Sequence, residues 1–128
     1  MGRSFEELQS LLDAIDDPAR VGVCLDSCHL FAAGYELRTD SGYERTMKNL
    51  GATVGARRVF CWHLNDSRGD LHSHLDRHEH IGEGMIGKSG FRRILEDSRF
   101  FGVPKMLETA KEDDMDRVNL KVLRRLGR

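Results

Sequence analysis

The stretch HLDRHEHIGEGMIG, His74 to Gly87, sets histidine, aspartate, arginine and glutamate side chains close together and follows them with a glycine-rich turn. Imidazoles and carboxylates at this density suit zinc, manganese or iron, and no thiolate is required. Asp76 and His78 stand two apart, so in an extended segment they point to one side and can grip a single ion. Asp26, His29, His63 and Glu108 extend the set. Two or three close divalent ions held by such ligands would neutralise a phosphodiester, activate water and stabilise a leaving oxygen.

Each residue also has an ordinary reading. Asp26 could cap the helix after it. His63, after Trp62, could be a satisfied, partly buried histidine, and Glu108 a helix-proximal carboxylate. His72, His74 and His80 read as solvated loop residues. Gly82 to Gly87, GEGMIG, matches G-x-G-x-x-G, but a histidine-rich loop precedes it where a dinucleotide fingerprint needs a strand. It reads as a tight turn into a helix. Cys24 and Cys28 have no second cysteine pair to complete a zinc knuckle and read as packed thiols.

The elements that must position the ligands alternate. Residues 4–15 carry Phe5, Leu8, Leu11, Leu12 and Ile15 at helical spacing, with Ser4-x-x-Glu7 as a capping box and Pro18 as a stop. VGVCLD (21–26) reads as a buried strand, and CHLFAAGYELR (28–38) as a short helical turn. Residues 43–55 suit a second long helix, RRVFCWHLND (57–66) a second strand, and about twenty loop residues follow. KSGFRRILEDSRF (88–100) suits a third helix with Phe91, Ile94 and Leu95 inward. VPKMLET (103–109) reads as a third strand ending in Glu108. A last helix over 113–126 presents Met115, Val118, Leu120, Val122 and Leu123. Strands alternating with helices imply a parallel sheet in an α/β fold. All three strands end in candidate ligands, at the sheet end where such folds gather active sites.

The 128 residues allow one domain at most, well short of the ~250 of a complete (β/α)8 barrel. Net charge is −1, so phosphate binding must come from local geometry or bound metal rather than a basic coat. Three cysteines, no signal peptide and no long apolar run point to a reduced, cytoplasmic setting away from membranes.

VGVCLDSCHLFAAGYELR, HLNDSRGDLHSHLDRHEHIGEGMIG and LET closely resemble the carboxyl-terminal half of the endonuclease IV family, the apurinic/apyrimidinic endonucleases of base-excision repair. The resemblance runs from GRSFEEL to the last helix. It implies a TIM barrel, a cluster of three zinc ions, and hydrolysis of double-stranded DNA 5′ to an abasic site, leaving a 3′-hydroxyl. His29, Asp76 and His78 would complete one zinc site. Asp26, His63 and Glu108 would belong to a second, whose bridging glutamate lies in the earlier half of the barrel. The ligands of the remaining ion also lie there. Arg77 matches a loop arginine near the DNA backbone, with a solvated cation as its ordinary reading. His72 stands where the family has glycine, close to the metal loop, and could disturb that loop or add a ligand.

The resemblance thus implies about three strands of a barrel whose amino-terminal half is absent from this chain, with one zinc site complete and one partial. Uncovered sheet edges and an uncovered face predict self-association or pairing with a complementary half-barrel. The chain alone is expected to be inactive or weakly active. Two other readings are a xylose-isomerase-like sugar isomerase or epimerase and a non-catalytic metal-binding fragment.

Overall fold

The computed structural model describes residues 4–127. Gly2 and Arg3, at the start of the resembling stretch, lie outside the described residues. Helix α1 spans Phe5–Asp13, and Ser4 caps it by accepting the Glu7 N–H at 3.2 Å. Strand β1, Val23–Asp26, runs into α2, Ser27–Ala33, which closes at Gly34 with φ +111°. That left-handed turn suits glycine because it has no Cβ. Helix α3, Asp40–Ala52, is capped by Thr39 and begins earlier than the apolar spacing predicts.

Strand β2 covers Val59–His63, inside the predicted 57–66. The chain then leaves the sheet. Asp66–Ser67 (β3) pairs antiparallel with His78–Glu79 (β4), giving the long loop a two-stranded base absent from the sequence reading. Helix α4 spans Gly87–Glu96, and a separate 3₁₀ turn, Ser98–Phe100, follows. The third strand, β5, shrinks from the predicted 103–109 to Lys105–Met106. Glu108 therefore sits beyond the strand. Helix α5, Met115–Leu126, ends the described chain.

Strands β1, β2 and β5 lie side by side in that order, all parallel. This is the predicted α/β arrangement. One extra residue, Phe60, is absorbed between the pairs Val23–Val59 and Cys24–Cys61. Beyond that bulge, Leu25 aligns with Trp62 and Lys105, and Asp26 aligns with His63 and Met106. Successive strand residues face opposite sides. Leu25 and Trp62 thus enter the core with Phe5, Phe31, Leu50, Phe91, Ile94 and Phe100. On the other face Cys24 is exposed and Met106 is half uncovered.

Two expectations for the helices need correction. In α5, Val118 and Leu120 are 45% and 41% exposed, whereas Asn119 between them is buried. The inward stripe is Asn119, Leu123 and Leu126, because buried hydrogen bonds draw Asn119 inside. In α1, Leu11 faces outward and Ile15 lies beyond the helix.

A polar cluster ties α3 to the end of α4. Tyr43 donates its hydroxyl to Asp97 Oδ2 at 2.7 Å, and the Arg99 guanidinium donates to both Asp97 oxygens at 2.8 Å. Burial pushes the Asp97 carboxyl up, but the bonds from Arg99 and Tyr43 outweigh it and hold the group below its ordinary range. A carboxyl depressed by folding contributes stability above its unfolded pKa, and that contribution is lost as pH falls through the folded value. Asp97→Asn is therefore expected to lower the melting temperature at neutral pH. The gap from the parent should close as pH drops below about 4. A gap that persists into acid would contradict this reading of the cluster. No helix among the described residues is long and apolar enough to cross a membrane.

Candidate metal centre

The ends of β1, β2 and β5 bring Asp26, His63 and Glu108 together. Their ligand atoms lie within 4.8 Å of one another. The His63 Nδ1 meets a Glu108 carboxylate oxygen and stands 3.9 Å from Asp26 Oδ2. A second group forms around the same aspartate: Asp26, Asp76 and His78, with Cys28 beside them, also have ligand atoms within 4.8 Å. Asp26 belongs to both groups. The His29 Nδ1 lies 3.3 Å from Asp76 Oδ2, and His78 Nε2 lies 3.8 Å from Asp76 Oδ1. The two histidines thus approach opposite oxygens of one carboxylate.

Local structure explains these positions. Asp26 is the N-cap of α2, where its Oδ1 accepts the His29 N–H at 3.2 Å. The cap thus uses Oδ1 and leaves Oδ2 as the oxygen that faces the other candidate ligands. Its Oδ2 accepts from Asn65 Nδ2 at 3.1 Å and faces His78 Nε2 at 3.4 Å. Burial pushes the Asp26 carboxyl above its ordinary range, and the charge of Asp76 adds to this. The His29 N–H, His78 and Asn65 work in the opposite direction.

The donor set fits a divalent cation. The His78 Nδ1 lies 3.1 Å from the Glu108 carbonyl oxygen, which can only accept, so Nδ1 carries the proton. In the neutral ring, Nε2 is then a lone pair aimed at Asp26 Oδ2 and Asp76 Oδ1. Acceptors that converge on one point suit a cation between them, and imidazole with carboxylates is a zinc-type set. Cys28 reads as structural. Its fully buried thiol donates to the Arg77 carbonyl at 3.3 Å. Cys24, read from sequence as packed, is exposed instead.

Asn65 escaped the sequence reading. It is fully buried, donates to Asp26 through Nδ2, and accepts the Glu108 N–H through Oδ1 at 2.8 Å. One side chain therefore fixes two candidate ligands from different strands. Its own backbone is held by Ser27, whose Oγ donates to Asn65 O at 2.7 Å and accepts Asn65 N–H at 2.9 Å. The signal in the sequence was an amide inside the apolar run WHLN, where a polar side chain needs a partner.

Asp66 was missed as well. Its carboxylate is fully buried and accepts the backbone N–H groups of Ser67, Gly82, Gly84, Ile86 and Gly87 at 2.8–3.3 Å. The glycine turn GEGMIG thus forms a nest of N–H donors, the arrangement other folds offer to phosphate. Here the protein's own carboxylate fills it, which excludes the dinucleotide reading on structural grounds. A Cβ on Gly84 would stand 2.5 Å from the Ser67 carbonyl oxygen and 2.6 Å from Asp66 Oδ1, so that position requires glycine. Asn119 pins the other side of the loop. It accepts the Ile81 N–H at 3.0 Å and donates to Thr109 Oγ1 at 2.9 Å, and its Nδ2 lies 3.0 Å from His80 Nδ1. His80, expected as a solvated residue, is therefore partly buried and bonded.

His72, His74 and Arg77 belong to neither ligand group. His72 has φ +61°, the left-handed conformation that suits the glycine expected there, and its Nδ1 lies 3.3 Å from the Ala33 carbonyl oxygen. His74 shares that conformation and lines a cavity of about 150 Å³ with His29, Ala32, Ala33 and Asp76. Arg77 is exposed beside this cavity's Asp76, its carbonyl held by Arg68 N–H at 3.0 Å.

Residues 1–126 match the family model described as the xylose isomerase-like TIM barrel. The chain belongs to that family. Its relatives include the probable endonuclease 4 of Trichlorobacter lovleyi, 50% identical over 98% of this chain and 46% of that protein. The apurinic-apyrimidinic endonuclease of Caenorhabditis elegans is 50% identical over 85% of this chain and 28% of its own length. The crystal structure of endonuclease IV from Thermus thermophilus superposes with a TM-score of 0.86 at 40% identity, over 98% of this chain and 44% of that one. The likeness to endonuclease IV read from the sequence is thus borne out, as is the TIM-barrel fold class. The chain spans about half the length of the curated relatives it matches.

Proposed function

We propose that this chain carries part of the zinc site of a DNA-repair endonuclease that cleaves 5′ to abasic sites. In this reading it corresponds to the carboxyl-terminal half of the barrel. One observation supports this most: Asp26, His63 and Glu108 converge from three strand ends in a chain half identical to proteins named endonuclease 4.

Bound divalent ions would neutralise the phosphodiester, activate water and stabilise the leaving oxygen. The chain's own residues hold and orient. His29, Asp76 and His78 form one ligand set, and Asp26, His63 and Glu108 form part of a second. Asn65 fixes Asp26 against Glu108, and the Glu108 carbonyl sets the His78 tautomer. Arg77, exposed between two candidate ligands, would meet a DNA phosphate. The exposed face with Cys24, Phe60 and Met106 is the one that the rest of a barrel, or a second copy, would cover. The sugar-isomerase reading has less support, because the relatives near 50% identity carry endonuclease names.

The test is incubation of the purified chain and zinc with a duplex carrying one abasic site, beside Asp76→Ala. Zinc binding with at most slow incision is expected. Any incision should fall 5′ to the abasic site and vanish in Asp76→Ala. Equal cutting of undamaged duplex, or incision indifferent to Asp76, would contradict the proposal.

A further inference from the structure

Two thiols and an imidazole lie together on the sheet face beneath the candidate metal centre. Cys24 and Cys61 are paired residues on the parallel strands β1 and β2, so their side chains leave the same face side by side. His63 lies two residues beyond Cys61 on that face. One ligand atom from each of the three lies within 4.8 Å of the others. Cys24 is exposed, while Cys61 and His63 are half-buried. None of the three cysteines is in a disulfide.

Two sulfurs and one nitrogen make a soft donor set, unlike the oxygen-rich groups at the strand ends. The geometry follows from strand register rather than a flexible loop, so the sulfurs stay adjacent without any rearrangement. His63 is shared, since it also faces Asp26 and Glu108.

We propose that Cys24, Cys61 and His63 form a second metal site, selective for a thiophilic ion such as cadmium, and that it competes with the oxygen-rich group for His63. Binding releases the two thiol protons to solvent and involves no oxidation. The site does not depend on the endonuclease reading, because its three residues recognise the ion by themselves.

Cadmium titration of the intact chain tests this, followed by sulfur-to-cadmium charge-transfer absorption in the ultraviolet. The band is expected in the parent chain and absent in the Cys24→Ser/Cys61→Ser double variant. His63→Ala should keep the band and shift its midpoint to higher cadmium. A band that survives the double variant would place the ion on Cys28 and overturn the proposal. An unmoved midpoint in His63→Ala would overturn the sharing of His63.

A measurement on the unmutated chain guards against variants that fail to fold. Alkylation with iodoacetamide, read peptide by peptide by mass spectrometry, should show cadmium protecting Cys24 and Cys61 together. Protection of neither would overturn the site.

Discussion

Replacing Asp66 with alanine is expected to collapse the stability of the chain and to loosen the loop of candidate ligands first. Its carboxylate accepts five backbone N–H groups with no solvent exposure. A buried donor left without a partner costs roughly 1–3 kcal/mol. Losing the shared acceptor of several such donors therefore approaches the ~5–15 kcal/mol that holds a whole domain. Asp66→Asn keeps one oxygen but turns an NH₂ group toward N–H donors, so it should fall between the parent and alanine. Urea unfolding gives the ranking, and hydrogen exchange gives the location: amides of residues 78–87 should lose protection before those of α3. An unchanged midpoint in Asp66→Ala would show that the nest does not hold the loop.

The second large effect is expected at Asp26. It is the one residue found in both oxygen-rich ligand groups, so its removal weakens both. Loss of an outer partner alone typically costs 10–100-fold in metal affinity. Asp26→Ala should therefore lower zinc affinity by more than about 100-fold. Alanine also removes the N-cap of α2, worth about 1 kcal/mol. Asp26→Asn separates the two roles, since asparagine caps as well as aspartate but brings no charge. Asn should restore the melting temperature and leave zinc binding impaired. Zinc binding by Asp26→Ala at the parental affinity would remove Asp26 from the centre.

Much of this architecture was legible in the sequence for physical reasons. The Ser4 cap, the strand VCLD with its terminal carboxylate, and the stripe Phe91–Ile94 obey local rules of capping and periodicity, and each appears where those rules place it. VPKMLET is apolar enough to read as a strand along its length, yet only Lys105 and Met106 enter the ladder. In α5, hydropathy marks Val118 and Leu120, but Asn119 holds Ile81, Thr109 and His80 and so sets the helix rotation.

The ligand residue types stood out, because imidazole and carboxylate at strand ends have few uses. The parts that hold them did not. Asp66 and Asn65 act through backbone groups distant in sequence, and a lone aspartate or asparagine carries no mark of such partners. The glycine spacing marks a turn, but only three dimensions assign its donors to Asp66.

Whether this chain supplies working ligands to an abasic-site endonuclease can be decided by a graft. The chain replaces the segment it matches in the Trichlorobacter lovleyi relative, and incision of a duplex with one abasic site is assayed with zinc. The chimera is expected to cleave 5′ to the abasic site, and its Asp76→Ala variant is expected to leave the duplex whole. A folded chimera that fails to cut, while the unmodified relative cuts, would show that these residues do not build the endonuclease site.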